Sequence, residues 1–106
     1  MGLMDFFKLP DINEGVKEYN STPGAILLDV RSTQEYEVRR IPGSTNLPLP
    51  ELDAADTVIP DKDTPIFVYC YSGGRSTQAA KTLQRMGYSN VKNIGGISSY
   101  SGKVER

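Results

Sequence analysis

Apolar and polar positions along this chain form blocks that predict strands and helices in turn. Two short runs, residues 25–30 and 66–69, are apolar almost throughout, with Asp29 as the one polar interruption. Runs of this kind are typical of strands covered on both faces, as in a parallel sheet. Residues 91–94 predict a further short strand.

Helix signals stand before and between these strands. Ser32 with Glu35, and Asp11 with Glu14, have the spacing of a capping box, in which two side chains satisfy free backbone amides at a helix start. The helix that begins after Ser32 should run to about Val38. A later helix has one apolar face, formed by Ala79, Ala80, Leu83 and Met86. This β-α-β-α order predicts an α/β fold with a mostly parallel central sheet and helices on both faces.

Composition favours one globular domain over residues 1–106, because 38% of the residues are hydrophobic and 24% charged. Twelve basic and 13 acidic residues give a net charge of −1, which argues against nucleic-acid binding as the main function. No apolar run approaches the ~20 residues that cross a bilayer. We expect a cytoplasmic protein with no membrane partner, and an edge strand formed by Leu3, Met4, Phe6 and Phe7.

The available chemistry is narrow, because the chain has no histidine and one cysteine, Cys70. The absence of histidine excludes Ser-His-Asp and Cys-His catalysis together with the usual zinc and copper ligand sets. A single cysteine forms no internal disulfide. We therefore expect no metal and no cofactor, and chemistry that uses carboxylates, hydroxyls, Lys, Arg, Tyr, backbone amides or the thiol.

Cys70 stands where a predicted strand ends and a predicted helix is about to begin. Gly73 and Gly74 allow the backbone to curl there, so that successive N–H groups converge on one point. Such an arc stabilises a thiolate over a thiol, and Arg75 adds a positive charge. With no histidine to act as a base, a lowered thiol pKa is the activation route that the sequence offers. Taken alone, however, Cys70 also fits the alternative of a small buried core residue.

Three segments, in this order and at these spacings, resemble the rhodanese family. They are LDVR…EY…IPGS…NLP at residues 28–48, YCYSGGRS at 69–76 and GGISSY at 95–100. The likeness runs from about Asp11 to Lys103, nearly the whole chain. It implies a single-domain, three-layer rhodanese-like fold and sulfurtransferase activity.

The resemblance also implies a mechanism and site residues. The Cys70 thiolate would take the outer sulfur of a donor such as thiosulfate, hold it as a persulfide, and pass it to cyanide or a cellular thiol, including a protein thiol. The planar guanidinium of Arg75 would orient the donor anion. The persulfide and donor would be cradled by Tyr71, Ser72, Gly73, Gly74, Arg75 and Ser76. Three supporting residues are expected: Asp29 and Arg31, which tie the strand end to nearby loops, and Glu35, which caps its helix.

Two alternatives stand beside the enzyme hypothesis. The first is a catalytically quiet rhodanese-like module that binds a partner or carries sulfur. The second is a cysteine phosphatase, which fits less well. Four residues separate Cys70 from Arg75, whereas the cell-cycle phosphatases that resemble this fold have one more; arsenate reduction fits less well still. Arg39 and Arg40 replace the Gly-His pair usual in the family, and would either attract anions to the mouth of the site or form a solvated helix end.

Overall fold

A four-stranded sheet forms the centre of the fold in the computed structural model, which describes residues 9–106. All of its pairings are parallel, in the order β2-β1-β3-β4. The strands are β1 (Ile26–Asp29), β2 (Thr45–Asn46), β3 (Ile66–Cys70) and β4 (Val91–Gly96). The central pair, β1 and β3, corresponds to the two apolar runs of the sequence, so the predicted parallel core of the sheet is confirmed.

The first two helices begin directly after the predicted capping residues Asp11 and Ser32. The helical elements of the fold are α1 (Ile12–Asn20), α2 (Thr33–Val38), α3 (Ala55–Val58), which directly follows a 3-10 helix at Leu49–Ala54, α4 (Gly74–Arg85) and a final 3-10 turn at Ile97–Ser99. The capping box at α2 is complete, with Ser32 and Glu35 each accepting from the other's backbone amide.

The capping box predicted at α1 is wrong in its second half. Asp11 accepts a 2.9 Å hydrogen bond from the Asn13 amide, as an N-cap residue does. Glu14 pairs instead with Lys17, at 3.9 Å between Oε1 and Nζ. Both side chains of this pair are more than two-thirds exposed, so water and a neighbouring lysine replace the reciprocal contact.

Two apolar clusters, one on each face of the sheet, give the fold three layers. Side chains alternate along β3, so Val68 and Cys70 face one cluster while Phe67 and Tyr69 face the other. The first cluster joins the sheet to α3 and α4 through Ala55, Ala79 and Leu83. The second joins it to α1 through Ile12 and Val16. The predicted three-layer α/β fold is confirmed, and the Tyr69 ring lies on the opposite face from Cys70.

Two predictions about the ends and limits of the chain are not decided by this fold. The edge strand predicted at Leu3, Met4, Phe6 and Phe7 lies outside the described residues. The expectation of a single domain over residues 1–106 stays a prediction. Within residues 9–106, none of the helices combines the length and the apolar character needed to span a bilayer.

The end of β4 packs directly against the segment that follows β3. A Cβ added to Gly96 would overlap the carbonyl oxygen of Tyr71 and would lie 2.6 Å from the Cα of Ser72. Gly95 has a φ of +101°, which side-chain-bearing residues rarely adopt. The Ser98 amide donates a 3.0 Å hydrogen bond to the Tyr71 carbonyl. The two glycines therefore allow the segment after β3 to rest on the end of β4.

The substitution Gly96→Ala tests this close approach. We expect it to lower the free energy of unfolding by about 1–3 kcal/mol, measured by urea denaturation, because the backbone at residues 71–72 must move to admit a methyl group. Gly74→Ala is the matched control, since nothing lies within 4 Å of the Cβ it would add. Its free energy of unfolding should be unchanged or higher. Equal losses in the two variants would contradict the steric explanation.

Candidate active site

Cys70 is the last residue of β3, and only residues 71–73 separate it from α4. Gly73, at the N-cap position, has a φ of +108°. This left-handed conformation turns the chain back over the end of β3. As a result the Gly73 amide donates a 3.0 Å hydrogen bond to the Cys70 sulfur. The connecting segment, called here the loop (residues 71–76, including the first turn of α4), thus folds over the thiol.

Burial and hydrogen bonding act in opposite directions on the Cys70 thiol. The residue is 1% exposed, and this burial, the largest influence, raises the thiol pKa. The Ser76 hydroxyl, 3.5 Å from Sγ, and the amides of Ser76, Gly73 and Ser72 lower it. The hydrogen bonds together outweigh burial, so the pKa of Cys70 lies below its ordinary value. The site therefore raises the fraction of the reactive thiolate above that of an ordinary cysteine.

The remaining loop residues contribute in other ways. Tyr71 is 53% exposed, and its carbonyl is held by the Ser98 amide. Gly74 begins α4 and leaves open space above its Cα. Tyr71 also lines a cavity of about 400 Å³, together with Arg31, Gln34, Glu35, Val38, Arg39 and Ile97.

The guanidinium of Arg75 is occupied by the Glu35 carboxylate. Nη1 lies 2.6 Å from Oε1, and Nη2 lies 3.1 Å from Oε2. Hydrogen bonding to Arg75 is the main reason that the pKa of Glu35 falls to about 2, and the same bond raises the pKa of Arg75. Glu35 caps α2, as expected from the sequence, and also holds Arg75, a contact that the sequence does not predict. The anion-orienting role expected of Arg75 stays a prediction.

Asp29 and Arg31 form a buried ion pair at the end of β1. Arg31 Nη2 lies 2.6 Å from Asp29 Oδ2, and the side chains are 4% and 0% exposed. The Arg31 amide also donates to Asp29 Oδ1 at 2.8 Å, and its Nη2 donates to the Arg39 carbonyl at 2.6 Å. The pair therefore joins the end of β1 to the end of α2, which carries Glu35.

The structure separates the two arginines that replace the family's Gly-His. Arg39 lines the 400 Å³ cavity beside Tyr71. Arg40 pairs with Glu105, at 3.5 Å between Nε and Oε1, and its guanidinium lies 5.1 Å from the centre of the Tyr36 ring. Arg39 is therefore placed to add positive potential beside the loop, whereas Arg40 fastens the C-terminal segment to α2.

Asn46 supports the site in a way that the sequence analysis missed. Its side-chain amide donates to the carbonyls of Asp29 and Arg31, each at 3.0 Å. It thereby fixes the turn after β1 from the neighbouring strand. The available signal was its place in the NLP segment at residues 46–48, which is part of the family resemblance but gives no partner for the amide.

The polar groups gathered around Sγ are amides and a hydroxyl rather than metal ligands. Within the described part of the chain, no group of three or more Cys, Asp or Glu side chains has the geometry to hold a metal ion. The two acidic residues expected to support the site, Glu35 and Asp29, are each paired with an arginine.

Known proteins share both the sequence pattern and the fold. The family model for the rhodanese-like domain matches residues 13–103. Thiosulfate sulfurtransferase PspE from Escherichia coli (strain K12) is 39% identical over 71 residues, which cover 66% of this chain and 68% of PspE. The putative sulfur carrier protein YrkF from Bacillus subtilis (strain 168) is 35% identical over 100 residues, which cover 92% of this chain and 54% of YrkF.

The solved structures give the same result for the fold. A rhodanese with anions from E. coli matches with a TM-score of 0.72 and 34% identity, over 77% of this chain and 98% of that one. Among the curated relatives, the chain spans as little as 20% and as much as 68% of their length. Since the family model covers most of the chain and the solved relative shares its fold, the protein belongs to the rhodanese-like sulfurtransferase family.

Proposed function

We propose that this protein transfers a sulfane sulfur from an anionic donor such as thiosulfate to a thiophilic acceptor, through a persulfide on Cys70. One observation carries the proposal: the pKa of a buried thiol is lowered by converging amides and a hydroxyl. That environment supplies a thiolate without a histidine base. The similarity to PspE, whose name states thiosulfate sulfurtransferase, supports thiosulfate as the donor.

The first half-reaction loads the cysteine. The Cys70 thiolate attacks the outer sulfur of thiosulfate, the sulfur–sulfur bond of the donor breaks, and its electron pair leaves with sulfite. The charges balance, because a thiolate and a dianion become a persulfide anion and the sulfite dianion. The amides that solvate the thiolate are equally suited to solvate the outer sulfur of the persulfide. Cys70 is 1% exposed, so transfer requires the loop or the Cys70 side chain to shift outward.

The second half-reaction unloads the sulfur. An acceptor such as cyanide or a thiolate attacks the outer sulfur, and Cys70 leaves as the thiolate that begins the next cycle. The sulfur is carried by the protein's own side chain, so the reaction needs no cofactor. A reducing compartment keeps a free thiol available for this chemistry, and on that ground we propose a cytoplasmic location.

A second candidate, supported by the similarity to YrkF, is a sulfur carrier that holds the persulfide without rapid turnover. Both candidates load sulfur on Cys70, but only the sulfurtransferase releases sulfite and product repeatedly. A cysteine phosphatase remains the other alternative. The short spacing of four residues between Cys70 and Arg75 counts against it.

Treatment with thiosulfate should add the mass of one sulfur, about 32 Da, to the wild-type protein, because the thiolate forms a stable persulfide. Cys70→Ser should show no added mass and no thiosulfate:cyanide turnover, with a circular dichroism spectrum like that of the wild type. Mass addition with no turnover would select the carrier. Turnover at the wild-type rate in Cys70→Ser would contradict the proposal.

Ser76→Ala should raise the thiol pKa, because the hydroxyl that stabilises the thiolate is lost. Alkylation by iodoacetamide at neutral pH should slow several-fold, and the pH profile of its rate should move to higher pH. Ser72→Ala is the matched control: Ser72 acts on the sulfur through its backbone amide, which alanine retains. Identical profiles for Ser76→Ala and the wild type would show that the hydroxyl has no influence on the thiol.

Arg75→Lys should raise the KM for thiosulfate while changing the midpoint of thermal unfolding little. Lysine keeps the charge but loses the planar pair of donors that matches two oxygens of an anion. Arg85→Lys, at the far end of α4, serves as the control for an arginine on the same helix. Unchanged donor kinetics in Arg75→Lys would refute an anion-orienting role.

A further inference from the structure

We propose that Glu35 is a specificity-determining residue whose carboxylate competes with the donor anion for Arg75. By occupying the guanidinium, Glu35 weakens the binding of anionic donors, and it weakens the binding of dianions more than that of monoanions. The identity of the donor rests on the proposed function, whereas the ion pair itself is a feature of the structure.

The contact between Glu35 and Arg75 has the shape of the contact expected for a donor. Both carboxylate oxygens meet the two terminal nitrogens of the guanidinium, at 2.6 and 3.1 Å. Two oxygens of a sulfonate-type group, such as the end of thiosulfate, bind a guanidinium in the same bidentate manner. The side chains of Arg75 and Glu35 are 39% and 35% exposed, so an anion from solvent has access to the pair.

Glu35 is held in place independently of Arg75. Its Oε1 accepts hydrogen bonds from the Ser32 amide and the Ser32 hydroxyl, both at 3.1 Å. A carboxylate fixed by its own helix cap loses little conformational freedom when it pairs with the arginine. Its pKa of about 2 keeps it ionised at neutral pH. The competition is therefore constant under physiological conditions and is relieved only by an anion that displaces the carboxylate.

Local charge explains why the competition depends on donor charge. Asp29 and Arg31 neutralise each other at the end of β1, and Glu35 neutralises Arg75. Because these pairs cancel, the Cys70 thiolate gives the loop a net negative charge when the donor arrives. Removal of the Glu35 charge would leave Arg75 uncompensated, and the attraction gained is proportional to the charge of the incoming anion.

The test compares Glu35→Gln with Glu37→Gln. Glutamine can still complete a capping box, so Glu35→Gln removes the charge while keeping the start of α2. We expect its KM for thiosulfate to fall by roughly fivefold, with little change in kcat. The fall should be smaller for methanethiosulfonate, a monoanion. Glu37 lies on the same helix and makes no ion pair within residues 9–106, so Glu37→Gln should leave both KM values unchanged.

Three results would overturn the inference. A higher KM in Glu35→Gln would mean that Glu35 positions Arg75 for the donor rather than competing with it. Equal changes in the Glu35 and Glu37 variants would reduce the effect to general surface charge. Equal changes for the dianion and the monoanion would show that the charge of Glu35 is not the cause. Should Glu35→Gln fail to fold, Glu35→Asp is used instead. Its shorter side chain reaches Arg75 less well, and it should lower the KM for thiosulfate to a smaller extent.

Calorimetry separates this inference from the proposed function. Thiosulfate is titrated into Cys70→Ser and into Cys70→Ser/Glu35→Gln, neither of which can transfer sulfur. Tighter binding of thiosulfate by the double variant supports the competition even if the wild-type protein proves to have no turnover. Equal binding by the two variants overturns the competition even if sulfur transfer is demonstrated.

Discussion

A buried sulfur ionises only where other donors replace the water it has lost, and this requirement governs the structure around Cys70. Burial alone would raise the pKa of the thiol. The Ser76 hydroxyl, the Gly73 amide at 3.0 Å and the neighbouring amides outweigh burial and bring the pKa of Cys70 below its ordinary value. The left-handed Gly73 and the missing side chain at Gly96 both serve this geometry, because one turns the loop over the sulfur and the other lets it approach the sheet.

The parts of the fold that the sequence predicts well depend on short-range order. The apolar runs at β1 and β3 predict buried strands. Both faces of these strands are covered, so their sequences do not alternate between apolar and polar residues. The capping box of α2 is equally local. The same reasoning fails at Glu14, where a largely exposed lysine contact and a reciprocal cap differ little in energy, so the pattern alone does not decide between them.

The ion pairs of the site depend on tertiary structure and were not predictable in the same way. Glu35 and Arg75 are 40 positions apart, and the sequence already offers a sufficient local role for each of them. The partners of Asn46 and Arg40 are likewise fixed only when β1, α2 and the C-terminal segment assemble. The thiol could be located from its strand-loop-helix setting, but the charge state of its surroundings could not.

The pairing of charges has a consequence for how the sulfur is activated. With Asp29 matched by Arg31 and Glu35 by Arg75, the hydrogen bonds that lower the pKa of Cys70 come from a hydroxyl and uncharged amides, and the charge of Arg75 also interacts with the thiolate. Unlike an imidazole, these donors do not titrate near neutral pH. The ionisation of Cys70 is thus not coupled to the titration of a histidine, because the chain has none. Near neutral pH its pH dependence reflects the protonation of the thiol itself. The glycines that permit the amides to converge take the place that a catalytic base occupies in other cysteine enzymes.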